Sequence, residues 1–137
     1  MASELKVDKF TGVTTAGSIL VTGEGNSTTT NLQQGLAKAW SEIDGDASTV
    51  VAFDSFNVST VDDDGTGLYS FNLTSAMSNS NYTIPTNAAH NSAINTTERA
   101  AAASAENSSS VLIGCRNLSN SAVDAQHIGG ALFGDLA

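Results

Sequence analysis

The sequence predicts an all-β fold: a β-sandwich or jelly-roll-like body over residues 36–137, preceded by an extended N-terminal arm over residues 1–35. Three observations lead there. Charged residues make up only 14% of the chain against 40% hydrophobic, so Ser, Thr, Asn and Gly must supply most of the solubilising surface. That mixture suits strands and tight turns better than helices, whose surfaces usually carry Glu, Lys and Arg. Short apolar segments recur along the chain, several with a period of two, and Gly, Asn and Asp stand between them. Recurring apolar segments also separate this composition from that of a disordered chain.

The arm carries few large apolar residues. Leu5 and Val7 alternate with Lys6 and Asp8, Thr11-Gly12 marks a turn, and Gly17 precedes a short strand-like run from Ser18 to Thr22. Gly23-Glu24-Gly25-Asn26 and Ser27 to Thr30 break the pattern again. Too little apolar surface is present to bury a core alone. The alternation therefore predicts a segment ordered by packing against other chains, with disorder as the alternative.

The body begins with Leu36 to Ile43, which holds the one tryptophan, Trp40. Thr49 to Phe53 reads as a short strand of buried type. Phe56 and Val58 alternate with Asn57 and Ser59, and Tyr69, Phe71 and Leu73 alternate with Ser70, Asn72 and Thr74. Between them, Asp62-Asp63-Asp64-Gly65-Thr66-Gly67 predicts a hairpin turn. Pro85 sits near a strand end, where its missing N–H blocks nothing. Thr96 to Ala105 is alanine-rich and reads equally as a short helix or a small-residue strand. Val111, Ile113 and Cys115 share one face of a later strand. Ile128, Leu132 and Leu136 share a face of the last, with Gly130 and Gly134 between them, small enough to let another strand or subunit approach closely.

Charge narrows the range of partners. The formal net charge is −9 with only five Lys and Arg, so phosphate backbones and anionic lipid headgroups are repelled. The expectation is no nucleic-acid and no membrane partner. Met1 to Phe10 lacks the apolar stretch of a signal peptide, and no apolar run reaches the ~20 residues of a membrane-spanning helix. Synthesis and assembly without secretion is the reading. Seven Asn-x-Ser/Thr sequons, at Asn26, Asn57, Asn72, Asn81, Asn95, Asn107 and Asn117, then follow from a composition rich in all three residues more than from glycosylation.

The stretch Asp54 to Met77, DSFNVSTVDDDGTGLYSFNLTSAM, with Lys38-Ala39-Trp40 and Asn81-Tyr82, resembles a module repeated in tail-fibre-like and virion surface proteins of marine podoviruses, of cyanophage and pelagiphage type. In that family a KAW-type strand leads to an SFNVS strand, a D-x-G-T-G hairpin, an alternating strand ending in T-x-A-M, and an N-x-Y strand. Leu5-Lys6-Val7-Asp8 and Thr15-Ala16-Gly17-Ser18-Ile19 also look like the leaders of such proteins. The likeness spans about two thirds of the chain. It departs at Ser41-Glu42-Ile43-Asp44, where the family has a more apolar run, and is loose after Asn87. The resemblance implies a non-enzymatic virion structural protein, displayed on the particle surface as a homotrimer and assembled in the host cytoplasm. One body plus an arm fits a capsid decoration (cement) or short head-fibre protein, with the major capsid protein or other virion proteins as partners. The alternative is a tail-fibre module that recognises a host surface glycan or protein.

Few residues suggest chemistry. Asp62, Asp63 and Asp64 offer the oxygens a calcium ion wants, but no Glu follows at EF-hand spacing, and a solvated turn is the plainer reading. His90, His127 and Cys115 are isolated in sequence, and a zinc site or Cys/His pair would need the fold to gather them. One cysteine rules out an intrachain disulfide framework, and Cys115 itself reads as a small buried hydrophobe. Gly23-x-Gly25 lacks the third glycine and the helix of a phosphate loop. Arg99 and Arg116 read as surface or interface charges. No catalytic, cofactor-binding or metal-binding residue is assigned, and no cofactor is expected. Trp40, Tyr69 and Tyr82 could stack against sugars, although the strand patterns around them favour core packing.

Overall fold

The structure is a computed structural model that describes residues 4–12, 19–22, 28–90 and 99–137. The chain divides into two compact units, Met1–Leu36 and Ala37–Ala137.

In the first unit, β1 (Leu20–Thr22) pairs antiparallel with β2 (Thr29–Asn31), with Leu20 opposite Asn31. Thr29 and Thr30, read from sequence as part of a break, thus belong to a strand, because Thr tolerates the extended conformation well. A single helical turn, α1 (Leu32–Gly35), follows, and the Asn31 side chain caps it by accepting from the Gln33 and Gln34 N–H groups. No described residue of this unit is buried. Gly17, Ser18 and residues 23–27, expected to shape the arm, lie outside the described residues.

The second unit is a sandwich of two four-stranded antiparallel sheets. The first has the order β4-β3-β10-β7, formed by β3 (Ala39–Asp44), β4 (Val51–Phe56), β7 (Thr86–Ala89) and β10 (His127–Leu132). The second has the order β5-β6-β9-β8, formed by β5 (Val58–Gly65), β6 (Leu68–Leu73), β8 (Arg99–Ala105) and β9 (Ser110–Asn117). Period-two patterning puts Ala39, Ile43, Ile128 and Leu132 of one sheet against Tyr69, Phe71, Leu73, Val111, Ile113 and Cys115 of the other. Met77 and Ala125 close the ends of this core. The apolar faces expected at Tyr69, Phe71 and Leu73 and at Val111, Ile113 and Cys115 are therefore the inner face of the second sheet.

Three local expectations change, and a fourth that the sequence left open is decided. Thr49 to Phe53 is not a buried strand: β4 is an edge strand on which Val51, Phe53 and Phe56 are each about half exposed. Phe56 to Ser59 is not one continuous strand. Asn57 adopts φ 57°, and there the chain leaves the first sheet and enters the second. Its amide donates to the Lys38 and Ser75 carbonyls, both at 3.0 Å, and its Oδ1 accepts from Ser75 N–H at 2.7 Å. Asn tolerates this left-handed conformation better than any branched residue, and its short amide reaches the chain just before β3 and just after β6. The hairpin after Asp64 is tighter than expected. Asp62 to Gly65 belong to β5, and Thr66-Gly67 make the turn with Gly67 at φ 64°. Alanine-rich residues 99–105 form strand β8 paired along its length with β9, because Ala101 and Ala103 pack their small side chains on the core.

Glycine allows close approach within the chain. A Cβ on Gly130 would meet Ile113 Cδ1 of the facing sheet at 2.9 Å, and one on Gly134 would meet Tyr82 Cβ at 2.9 Å. The approach expected from a second strand or subunit at Gly130 and Gly134 is thus made by the chain's own residues. The last strand ends at Leu132, and Leu136 lies beyond it, 44% exposed and bridged to Met77.

Candidate functional site

Sheet geometry places the chemistry-bearing residues of sequence analysis apart. Asp62 accepts from the Asn72 amide at 2.8 Å, Asp63 from Gly65 N–H at 3.0 Å, and Asp64 from the Ser70 hydroxyl. Asp62 lies opposite Ser70 and Asp63 opposite Tyr69, so strand alternation splits the three carboxylates between opposite sides of β5. Among the described residues, no group of three or more His, Cys, Asp or Glu is arranged to hold a metal ion. His90 Nδ1 lies 3.3 Å from Arg99, His127 sits on the outer face of the first sheet, and Cys115 is buried in the core. The fold does not gather these three. Arg116 donates to the Asn120 carbonyl at 2.9 Å, closing a local turn.

The three aromatics proposed as a stacking platform also separate. Tyr69 is fully buried, with its hydroxyl 2.8 Å from Asp124 Oδ1 and 2.9 Å from the Gly45 carbonyl. Burial, then the Asp124 carboxylate, raises its pKa far above the usual phenol range. Tyr82 is half-buried and donates to the Asn107 carbonyl at 2.9 Å. Burial and the nearby Glu106 push its phenol up in the same direction. Trp40 alone of the three faces outward.

Trp40 stands in a different constellation, on the outer face of the first sheet. Residues opposite one another in an antiparallel pair share a face, so two rows run across this sheet. One row is Asp54, Glu42, Gly129 and Asn87; the next is Phe56, Trp40 and Ala131. Because β10 presents only Gly129 and Ala131 outward here, a shallow trench of about 330 Å³ runs along its backbone. Trp40 and Glu42 form one wall, Pro85 and Asn87 the other. The Glu42 and Asn87 side chains close over Gly129, where no Cβ stands in their way. Asn87 donates to Glu42 Oε2 at 3.4 Å, and His127 Nδ1 lies 3.4 Å from Glu42 Oε1. Beside them Phe53, displaced by a β-bulge between Glu42 and Ile43, stacks on His127 with ring centroids 5.1 Å apart.

The outer face of the second sheet is plainer: the Asn72 amide donates to Thr60 and Asp62, and the Ser70 hydroxyl donates to Asp64, beside the small residues of β8. Sequence reasoning missed Glu42, Phe53, Phe56, Asn87 and His127 as neighbours of Trp40. One signal was present: Gly129 and Ala131 have the opposite parity to Ile128 and Leu132, which marks a side-chain-poor outer strip.

Together the two sheets and their shared core define an all-antiparallel β-sandwich. No protein-family model matches the chain, and no curated protein or solved structure matches it significantly. No helix among the described residues is long and apolar enough to cross a membrane.

Proposed function

We propose that this chain is a non-enzymatic structural protein of a bacteriophage particle. In this reading it acts as a homotrimeric surface module, as a capsid decoration or short head-fibre protein, with residues 1–35 supplying attachment and contacts between subunits. One observation carries the reading. Leu5, Val7, Phe10, Leu20 and Val21 are 47% to 74% exposed in a unit with no buried described residue, while the body closes a core of its own. Exposed apolar residues, Leu5 and Val7 among them at strand period, fit a segment that completes its packing in an assembly. The likeness of Asp54 to Met77 to podovirus virion proteins supplies the particle.

Two experiments test this. Deleting Met1 to Gln34 is expected to leave a soluble body that no longer joins particles; full occupancy by the truncated body would refute the role of the arm. Cryo-electron microscopy of purified particles, with symmetry imposed and then relaxed, is expected to place the chain on the icosahedral shell at high copy number. Density confined to the tail would instead establish the tail-fibre reading, in which the module recognises a host surface glycan or protein. The outward trench beside Trp40 favours that second reading.

A further inference from the structure

We propose that the trench on the outer face of the first sheet binds a neutral pyranose oligosaccharide, with Trp40 as the stacking surface and Glu42 and Asn87 as the hydroxyl-binding pair. This goes beyond the structural role and holds wherever on a particle the chain sits; it gives the recognition reading its chemistry.

A sugar ring asks for two things at once: a flat apolar surface for its C–H face, and directional partners for the hydroxyls around its rim. The trench offers both within one short stretch. Trp40 and Ala131 form an apolar row, and Glu42 and Asn87 form a polar row two residues along β10. That spacing is about 7 Å of strand, the scale of one sugar ring. An ionised carboxylate only accepts, whereas a primary amide both donates and accepts, so the pair can serve a hydroxyl in either role. His127 holds the far oxygen of Glu42, which fixes the direction of the near one. Apart from Ser41 and Thr86 the rest of the lining is apolar, and its volume lies at the lower end of small-molecule sites.

Charge selects among sugars. Glu42 and Asp54 share this face, and the chain carries a net charge of −9. Uronic or sialic acid chains are repelled here, so the ligand is neutral. Gly129 is what lets the polar pair close: any side chain at position 129 would fill the space into which Glu42 and Asn87 fold.

The test uses the full chain and its own reporter, since Trp40 is the one tryptophan. Its emission is followed while maltohexaose, cellohexaose, N-acetylchitohexaose or, as the acidic control, hexagalacturonate is added to about 10 mM, where a Kd of about 1 mM gives near saturation. At least one neutral oligomer is expected to shift the emission and protect Trp40 from acrylamide quenching, and hexagalacturonate to do neither. Asn87→Ala and Glu42→Gln are each expected to weaken that binding at least tenfold, with unchanged circular dichroism. Silence from all neutral oligomers overturns the proposal, as does binding that survives both substitutions or is matched by hexagalacturonate. A shift on simple dilution without sugar also overturns it, by assigning the face to a second copy of the chain. None of these outcomes touches the particle location or the role of the arm, which imaging and truncation read separately.

Discussion

The two units of this chain use the same alphabet to opposite effect. In the body, Tyr69 and Phe71 alternate with polar residues and are completely buried; in the first unit Leu20 and Val21 stand 58% and 51% exposed. Apolar side chains on a strand announce a surface that needs covering. They do not announce who covers it. The body meets the need internally because its eight strands form two four-stranded sheets, while the described residues of the first unit form a single sheet of two three-residue strands.

The comparison is broken most forcefully from the core. Phe71→Ala, at a position with no exposure, is expected to cost about 3–5 kcal/mol in urea unfolding followed by far-UV circular dichroism. A cost below about 1 kcal/mol would mean the sandwich is not closed as described. Asn57→Ala comes next. It removes three hydrogen bonds and leaves a left-handed residue with a Cβ, so a loss of about 2–3 kcal/mol is expected in the same assay. Asn57→Gly, which suits the backbone but lacks the amide, is expected to recover only part of it.

Alkali gives a third, gentler contrast. Folding favours the neutral phenol of Tyr69, whose pKa burial and Asp124 raise above the ordinary 10.0. The stability it confers is therefore complete below pH 10 and is lost as pH rises beyond, because the unfolded chain can ionise there and the folded chain cannot. Urea midpoints are expected to fall steadily above about pH 10, and less steeply for Tyr69→Phe. Both tyrosines lie in the body, so the phenol contribution to this slope belongs to the body alone. The smallest effect sharpens the contrast from the other side: Val21→Ala in the free chain is expected to change stability by no more than about 0.5 kcal/mol. A larger loss would show that the first unit already has a partner.

Much of the sandwich was legible in the sequence. Tyr69, Phe71 and Leu73, then Val111, Ile113 and Cys115, announced their strands because each has one wet and one dry face. Val51 and Phe53 misled because an apolar run looks the same whether it is buried in a sheet or lies at its edge; only strand order distinguishes the two, and order is a long-range property. Asn57 was hidden for a related reason. A one-residue sheet crossing leaves the apolar spacing of Phe56 and Val58 intact, so periodicity runs straight through it. The trench was the least legible feature, since Trp40, Phe56, Asn87 and Gly129 become neighbours only through the pairing of β3, β4, β7 and β10. The carboxylates at Asp62 to Asp64 were prominent in sequence for the opposite reason, being adjacent there and divided by strand alternation in space.

Cys115 is the only thiol in the chain, and it lies at zero exposure in the core on β9, opposite Ala101 of β8, with burial pushing its pKa up. A reagent can reach it only when the sandwich opens, which makes its alkylation rate a clock for that opening. Under the proposed virion role, the same clock, timed on free and on assembled chain, reports how firmly assembly holds the molecule shut.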